Sequence, residues 1–265
     1  MTYLNTHEIG TKLVAAIHQQ QPLSLIRVGD GESMMLDGVR NPGAAALMAK
    51  VIRRQLGDGI SMDDHLTIRK ILIKALAAAD IIGIPIGKKL DDPDSHWFRC
   101  QSLLVEHVPV LHKQFCDIDI HYHLTEQRSN FINDGYSWID ELFDAAPRIF
   151  YISCRNITRQ LEQRTGKEIQ SYHIAPEMMF TTYNGPAHWP KQYMGAADWM
   201  DQHADQIAGS LCLVGAGVVG KTYCNWFRDR GGIAIDMGSV FDKWAGHVTR
   251  GPERGRDKKT TDGIL

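Results

Sequence analysis

The chain has 265 residues, of which 43% are hydrophobic and 23% are charged, and its 29 basic and 31 acidic residues leave a formal net charge of −2. This balance argues against a nucleic-acid or membrane-surface protein, because such proteins carry a clustered excess of positive charge. Five cysteines without a CxxC pair favour a reducing compartment. No apolar run approaches the length of a transmembrane helix. We therefore predict a cytoplasmic protein, with at most a peripheral association with a membrane.

Apolar runs typical of strands alternate with helical patterns along most of the chain. In chain order, the predicted helices cover residues 6–20, 43–56, 65–79, 102–115, 125–132, 137–145, 158–165, 194–208 and 219–230. The predicted strands are residues 23–29, 80–87, 118–124, 148–154, 169–174, 210–215 and 233–237. Because such alternation is typical of βαβ units, we predict an α/β fold with a mostly parallel sheet and helices on both faces. One domain is expected over residues 1–246, followed by a polar, mobile tail over residues 247–265.

The acidic triplet Asp30-Gly31-Glu32 directly follows the first predicted strand. Ligands of open α/β sheets bind at the carboxyl ends of the strands, so the triplet stands at a candidate site. Gly31 lets the backbone bend, and the two carboxylates beside it can converge on one hard cation such as Mg²⁺ or Mn²⁺. Such metals usually complete their coordination shell with substrate phosphates. Asp-Gly is also a common turn dipeptide, so a solvated turn without a ligand is the alternative interpretation.

A second motif, GAGVVG over residues 215–220, fits the GxGxxG pattern between a predicted strand and a predicted helix. Gly215, Gly217 and Gly220 would let the backbone approach a phosphate at the helix N-terminus, whose N–H groups favour anions. Asp236 ends the next predicted strand, as in a dinucleotide fingerprint. A dinucleotide domain, however, continues with further βα units, and few residues follow here. We therefore predict a local phosphate or nucleotide cradle, with tight helix–strand packing as the alternative.

The same glycine segment also satisfies the spacing of a P-loop, because Gly220 is followed by Lys221 and Thr222. In a P-loop protein the lysine would contact the β- and γ-phosphates, and the threonine hydroxyl would bind Mg²⁺. The near-terminal position and the upstream acidic triplet make this phosphotransferase or NTPase the less favoured alternative.

Other residues with useful chemistry are singled out by their position. Arg27, just before the acidic triplet, could neutralise a diphosphate or pair with Asp30. Arg99 lies in an aromatic-rich segment, where a base or a sugar could stack. Glu177 and Asp242 are candidate general bases, with a helix cap or a surface carboxylate as the alternative for each.

Two histidines, His121 and His123, alternate within the strand predicted over residues 118–124. Alternate residues of a strand share a face, so the two imidazoles could meet at a metal. A structural role is the alternative, because no third histidine or cysteine ligand is evident.

Three segments, taken in order, resemble the GT-D-type glycosyltransferase domain family. Residues 24–32 (SLIRVGDGE) are similar to the family's N-terminal signature, and residues 213–221 together with 231–242 are similar to its C-terminal signature. Between them, residues 174–180 (IAPEMMF) resemble a proline-centred segment of the family, with Glu-Met-Met where small or amide side chains are commoner. The resemblance runs from about residue 23 to about residue 246.

The resemblance implies a Rossmann-like, GT-D-like sheet, a UDP-linked nucleotide-sugar donor, and a divalent metal, Mn²⁺ or Mg²⁺, bound by Asp30 and Glu32. It implies a glycosyltransferase that moves a sugar, expected to be a hexose, to a hydroxyl acceptor of a glycan or glycoconjugate. Glu177 and Asp242 are the catalytic candidates, and a non-catalytic nucleotide-binding module is a further alternative. No nucleic-acid partner is expected. From their positions, the predicted nucleotide-binding residues are Arg27, Gly29, Gly31, Arg99, Gly215, Gly217, Gly220, Lys221, Asp236 and Ser239.

Overall fold

The computed structural model describes residues 2–37, 42–57, 59–86, 96–109, 113–125, 138–176 and 187–247. Within these ranges the chain forms one eight-stranded sheet in which neighbouring strands run parallel. The strands are β1 (Thr2–Tyr3), β2 (Leu23–Arg27), β3 (Ile81–Ile84), β4 (Gln114–Asp117), β5 (Ile149–Ser153), β6 (Ile169–His173), β7 (Leu211–Gly215) and β8 (Ile233–Asp236). Their order across the sheet is β1-β4-β3-β2-β8-β7-β5-β6.

Helices cover both faces of this sheet. They are α1 (Thr6–His18), α2 (Asp30–Asp37), α3 (Pro42–Leu56), α4 (Met62–Ala78), α5 (His96–His107), α6 (Ile120–Thr125), α7 (Trp138–Ala145), α8 (Thr158–Thr165), α9 (Tyr193–Gln202), α10 (Ala204–Ile207), α11 (Gly217–Asp229) and α12 (Val240–Trp244). A π-helical turn, His188–Gln192, precedes α9. Helices α1, α6, α7, α8 and α12 pack on one face, and the others pack on the opposite face. None of the helices in the described ranges has the length and hydropathy of a membrane span.

The central strands contribute side chains to two separate hydrophobic cores, because successive residues of a strand point to opposite faces. In β7, Leu211 and Leu213 lie in the core that includes α1, whereas Cys212 and Val214 lie in the core that includes α11. A strand buried on both faces is apolar throughout, which explains the continuous apolar runs in the sequence. The predicted α/β fold, with a parallel sheet between two helical layers, is confirmed.

The strand predicted over residues 118–124 is wrong. Strand β4 ends at Asp117, whose Oδ1 accepts a hydrogen bond from the Asp119 N–H at 2.9 Å, and the chain then enters α6. An aspartate that accepts a hydrogen bond from the backbone two residues on favours this kind of turn. His121 and His123 therefore lie on a helix, where residues two apart do not share a face. His121 is buried and His123 is exposed, so the two do not form a pair of metal ligands.

The strand order leaves a crevice at the carboxyl ends of the central strands. The chain leaves β2 and β7 for α2 and α11 on one face, but it leaves β8 and β5 for α12 and α8 on the other. Neighbouring strands that send their connections to opposite faces leave a crevice outside their ends, where α/β proteins bind ligands. The fold therefore predicts a site between the loops that follow β2, β5, β7 and β8.

Candidate active site

A cleft of about 370 Å³ opens at the carboxyl ends of the central strands. The acidic triplet after β2 and the glycine loop after β7 line this same cleft, although they lie at opposite ends of the sequence. The predicted site residues found along it are Arg27, Gly29, Asp30, Gly31, Glu32, Gly215, Gly217, Lys221, Asp236, Ser239 and Asp242. The parallel sheet therefore brings most of the predicted residues together, as expected when chemistry-bearing residues follow neighbouring strands.

The remaining predicted residues are not placed on the cleft. Gly220 is buried in the first turn of α11 and is absent from the lining. Arg99 lies in α5, but its side chain is outside the described part of the structure. Glu177 and the tail over residues 248–265 lie outside the described residues altogether, so the roles predicted for them stay predictions.

The acidic triplet forms the first turn of α2. Glu32 is only 7% exposed, and its Oε2 accepts a hydrogen bond from the Gly29 N–H at 2.8 Å. A glutamate at the third helical position that bonds back in this way satisfies an N–H without a partner inside the helix. Asp30, at the first helical position, is exposed and lines the cleft. The two predicted metal ligands thus have very different surroundings.

Lys221, in the second turn of α11, is buried beneath the cleft with 4% of its surface exposed. Its Nζ lies 3.2 Å from Oε1 of Glu32 and contacts Oδ2 of Asp236. Burial alone would lower the pKa of Lys221, but the Asp236 and Glu32 carboxylates outweigh burial and raise it. Lys221 is therefore a charged ammonium enclosed by the protein, which is rare for lysine unless it is paired.

This setting of Lys221 differs from that of a P-loop lysine. The ammonium is held between two carboxylates, whereas a P-loop lysine contacts the β- and γ-phosphates. Thr222, which would bind Mg²⁺ in a P-loop, does not line the cleft. The arrangement argues against the P-loop interpretation of the GAGVVGKT segment.

Asp236, at the end of β8, joins Lys221 to Arg27. Its Oδ2 accepts a hydrogen bond from the Arg27 backbone N–H at 3.2 Å, and Nε of Arg27 donates to the Asp236 carbonyl oxygen at 3.1 Å. Burial raises the pKa of Asp236, but the positive charges of Lys221 and Arg27 hold it below its ordinary value. The pairing of Arg27 with Asp30 considered from the sequence is therefore wrong: Arg27 pairs with Asp236, and Asp30 lies on the cleft. We call Arg27, Glu32, Lys221 and Asp236 the buried ion cluster.

Arg27 also reaches the loop that follows β4. Its Nη1 donates to the Ile118 carbonyl oxygen at 3.0 Å, and it lies 2.8 Å from Nδ1 and 2.9 Å from Nε2 of His121. Nδ1 of His121 lies 3.1 Å from the same Ile118 carbonyl oxygen. Burial and the positive charge of Arg27 strongly lower the pKa of His121, so its imidazole is neutral and can accept a hydrogen bond from the guanidinium. One guanidinium thus ties the ends of β2, β4 and β8 together.

The start of α11 is occupied by a side chain from α3. Oε1 of Gln55 accepts a hydrogen bond from the Val218 N–H at 2.9 Å. Gly217 has a φ of +61°, and a Cβ at that position would lie 2.6 Å from Oε1 of Gln55. Glycine is therefore favoured there by the backbone conformation, and a Cβ would push the Gln55 amide away from the start of the helix. At the helix N-terminus that we predicted to hold a phosphate, the Val218 N–H therefore already has a hydrogen-bond acceptor within the protein.

The far wall of the cleft carries a second ion pair. Nε of Arg155, which follows β5, lies 2.7 Å from Oδ1 of Asp242 in α12. Beside them, the Tyr122 and Ser239 hydroxyl oxygens are 2.8 Å apart. Asp242, one of the predicted general bases, is thus oriented by an arginine at the edge of the cleft.

Several lining residues were not among those predicted from the sequence: Gln55, Asp119, Tyr122, Arg155 and His188. Arg155 and Tyr122 follow the carboxyl ends of β5 and β4, so the rule that selected Asp30 could also have selected them. Gln55 and His188 carry no such signal, because they reach the cleft from a helix and from a π-helical turn. Their positions depend on how the layers pack.

The donor set fits a divalent cation through Asp30. Its exposed carboxylate lines the cleft, and Mg²⁺ is usually bound by one or two carboxylates together with substrate phosphates. Glu32 fits less well, because Lys221 lies beside one of its oxygens and the Gly29 N–H is bonded to the other. Within the described residues, no three His, Cys, Asp or Glu side chains are grouped so as to hold a metal ion. A cation at this site would depend on the bound phosphates for much of its shell.

Comparisons with known proteins relate the first part of the chain to one family and the fold to solved structures. Residues 4–133 match the family model of a GT-D fold-like domain. A structure described as a new glycosyltransferase (DUF1792) from Streptococcus sanguinis aligns with a TM-score of 0.55 at 12% identity, covering 99% of this chain and 95% of that chain. Another, described as the highly conserved domain of unknown function 1792 with a distinct glycosyltransferase fold, aligns with a TM-score of 0.53 at 14% identity, covering 92% and 80%. A search of curated proteins found no match.

Residues 4–133 therefore match a GT-D-like domain, and the chain shares the fold of solved structures described as a glycosyltransferase or as having a glycosyltransferase fold. The family resemblance and the fold class predicted from the sequence are both confirmed. The predicted enzyme class, a glycosyltransferase, is supported by the family match over residues 4–133, which contain the acidic triplet.

Proposed function

We propose that the protein is a glycosyltransferase that moves a sugar from a UDP-linked nucleotide-sugar to a hydroxyl group of a glycan or glycoconjugate. The observation that carries the proposal is the convergence of the acidic turn, the start of α11 and the end of β8 on one cleft of a GT-D-like fold. Solved structures with this fold are described as a glycosyltransferase or as having a glycosyltransferase fold.

The donor diphosphate is proposed to lie between Asp30 and the start of α11. The N-terminus of a helix favours a negative charge through its dipole and its N–H groups. A divalent cation, Mn²⁺ or Mg²⁺, held through Asp30 would supply positive charge that offsets the charge developing on the leaving diphosphate. Arg27 also lines the cleft, but its charge is balanced within the protein by Asp236, so the cation is the main source of positive charge in this proposal.

Asp242 is proposed as the general base for the acceptor. The acceptor oxygen forms a bond to the anomeric carbon, and the bond from that carbon to the diphosphate oxygen breaks. The diphosphate leaves with the bonding electron pair, and the hydroxyl proton passes to the Asp242 carboxylate. Arg155 orients this carboxylate through the 2.7 Å ion pair.

A panel of nucleotide-sugars tests the proposal. We expect at least one UDP-sugar to be turned over, measured as UDP release with and without added glycan acceptors, and to raise the Tm of the protein. ATP and NAD serve as controls and should give neither effect. ATP hydrolysis without UDP-sugar turnover would instead support the P-loop alternative, and UDP binding without any turnover would support a non-catalytic module.

Two aspartates on the cleft should have separable effects. Asp30→Asn should raise the Mn²⁺ concentration needed for half-maximal turnover and leave Tm nearly unchanged, because Asp30 is exposed.

Asp242→Asn should lower kcat by about 10²–10⁴-fold with little change in UDP affinity, because a general base acts on the acceptor. Turnover at several Mn²⁺ concentrations, together with UDP calorimetry, measures both.

The matched control for Asp30→Asn is Asp63→Asn. Asp63 is likewise an exposed aspartate in the first turn of a helix, α4, but it does not line the cleft. An unchanged Mn²⁺ dependence in Asp30→Asn, or an equal shift in Asp63→Asn, would remove Asp30 from the metal site.

A further inference from the structure

Lys221 lies where three elements of the cleft meet. It belongs to α11, its ammonium contacts Asp236 at the end of β8, and its Nζ is 3.2 Å from Oε1 of Glu32 in α2. The other oxygen of Glu32, Oε2, accepts the Gly29 N–H at 2.8 Å. Both oxygens of this carboxylate are thus held, one by Lys221 and one by the start of its own helix.

A fixed Glu32 also fixes the helical turn that carries Asp30. The two residues occupy the third and first positions of α2. The turn is closed by the Ser33 N–H, which donates to the Gly29 carbonyl oxygen at 3.0 Å, and by the Ser33 hydroxyl, which donates to the same oxygen at 3.1 Å. Because these hydrogen bonds close the turn, a displacement of Glu32 would move Asp30 with it.

Building on the proposed function, we propose that Lys221 is a positioning residue that holds the acidic turn against β8 and so sets the place of Asp30. Its ammonium acts through Glu32 and Asp236 and does not contact the donor phosphates. The position of this lysine in a glycine-rich segment would suggest a phosphate ligand, but its burial and its two carboxylate partners assign it to the protein scaffold.

Charge balance in the buried ion cluster shows how the role can be tested. The cluster contains two cations, Arg27 and Lys221, and two anions, Glu32 and Asp236. Loss of Lys221 or Glu32 alone leaves one buried charge without its partner, which is strongly destabilising. Loss of both leaves Arg27 paired with Asp236, so the double variant should fold while lacking the tether.

The experiment compares wild type, Lys221→Met, Glu32→Gln and the double variant. Hydrogen exchange of the amides of residues 33–36 reports on the acidic turn directly, UDP calorimetry reports on the site, and Tm reports on the fold. Lys167→Met is the matched control. Its Nζ donates to the Asp144 and Ala146 carbonyl oxygens at 3.0 Å and 2.6 Å, away from the cleft, so its loss should lower Tm alone.

We expect faster exchange in the acidic turn of Lys221→Met and of the double variant. Both variants should bind UDP about tenfold to a hundredfold more weakly than wild type, because a small misplacement of a binding residue has an effect of this size. The loss should be equal in the two variants, because each removes the same tether. The double variant should have a Tm at or above that of either single variant. Exchange and UDP affinity as in wild type would overturn the positioning role.

Losses of UDP affinity that add up in the double variant would also overturn it, because additivity means independent contacts. A wild type that binds no nucleotide, while exchange in the turn still responds to Lys221→Met, would overturn the proposed function instead and leave the positioning role supported. Exchange in the turn therefore separates the two failures.

Discussion

Gly238 lies where the loop after β8 passes the guanidinium of Arg27. Its φ is +50°, and a Cβ at this position would lie 1.8 Å from Nη2 of Arg27. The same guanidinium donates hydrogen bonds to the carbonyl oxygens of Asp236 and Ile118. A side chain at Gly238 would therefore displace the residue that ties β2, β4 and β8 together at the cleft.

We predict that Gly238→Ala destabilises the protein more than a glycine substitution with backbone strain alone. The control is Gly166→Ala, because Gly166 has a similar φ of +65° and nothing lies within 4 Å of a Cβ there. The left-handed conformation costs an alanine about 1–2 kcal/mol at either position. Displacement of Arg27 should add about 1.5–3 kcal/mol at Gly238, the range for hydrogen bonds to charged groups. Urea denaturation of both variants measures the difference, and equal losses would contradict the prediction.

For the acidic triplet, residue type and position in the sequence were enough to place Asp30 and Glu32 on the cleft. They were not enough to show that Asp30 is exposed whereas Glu32 is buried. The sequence shows two carboxylates after a strand. It does not show that the second one meets Lys221, because that contact joins opposite ends of the chain. One local signal was available, since a glutamate at the third position of a helix commonly bonds back to the helix start.

The N-terminus of α11 is the element-level feature on which the proposed donor site depends. Gln55 of α3 supplies the oxygen that accepts the Val218 N–H at 2.9 Å. This contact joins the start of α11 to α3. Helix α3 also packs against α2, which carries the acidic turn. A change at residue 55 therefore alters the helix N-terminus without altering the glycine loop itself.

We predict opposite effects for two substitutions of Gln55. Gln55→Ala removes the acceptor and should cost about 0.5–2 kcal/mol of stability, as the loss of a helix cap does. Gln55→Glu keeps an acceptor and places a negative charge at a helix N-terminus, so stability should be kept or rise by about 0.3–1 kcal/mol. The same negative charge should repel a diphosphate and weaken UDP binding.

Chemical denaturation and UDP calorimetry on the two Gln55 variants measure these effects. If Gln55→Glu were stable and bound UDP with wild-type affinity, the diphosphate would not lie at the start of α11. If Gln55→Ala kept full stability, the hydrogen bond to Val218 would have no role as a cap.

Most elements were predictable from the sequence, and the exceptions have local causes. The periodic apolar patterns correctly predicted β2, β5, β7 and α11, because these elements are long or fully buried. The helix predicted over residues 102–115 lay too far along the chain, because α5 begins at His96 and ends at His107, and Phe115 belongs to β4. Strand β1, two residues at the sheet edge, is too short to leave a pattern and is stabilised by pairing with β4.

For the whole molecule, the order of strands could not be inferred from the sequence, although it decides which loops meet. The alternation of strands and helices predicts a parallel sheet, but many strand orders are compatible with it. The observed order places β8, late in the chain, beside β2, near its start. That adjacency joins the acidic turn to the end of β8, and it creates the buried ion cluster.

The packing of the layers also encloses a titratable group, His188. It is 2% exposed, and its Nε2 lies 2.7 Å from the hydroxyl oxygen of Tyr223 in α11. Burial lowers the pKa of His188 to about 3, because an imidazolium would lose its hydration there. The ordinary value for this group is 6.5. Protonation of this residue on unfolding should therefore lower the stability of the whole fold in acid.

We predict that the free energy of unfolding falls as the pH is lowered below 6.5, with a contribution from His188 of about 1.4 kcal/mol per pH unit. Between pH 6.5 and about 3, the unfolded chain binds a proton that the folded protein excludes, so acid favours unfolding. His188→Gln keeps a polar group for the Tyr223 hydroxyl and removes the titrating imidazole. The free energy of unfolding of this variant should therefore fall less steeply with decreasing pH than that of wild type, by about 1.4 kcal/mol per pH unit. His18→Gln, at an exposed histidine of α1, is the control and should follow wild type. Urea denaturation at pH 7, 6 and 5 measures the slopes, and parallel slopes for wild type and His188→Gln would show that His188 is protonated in the folded protein.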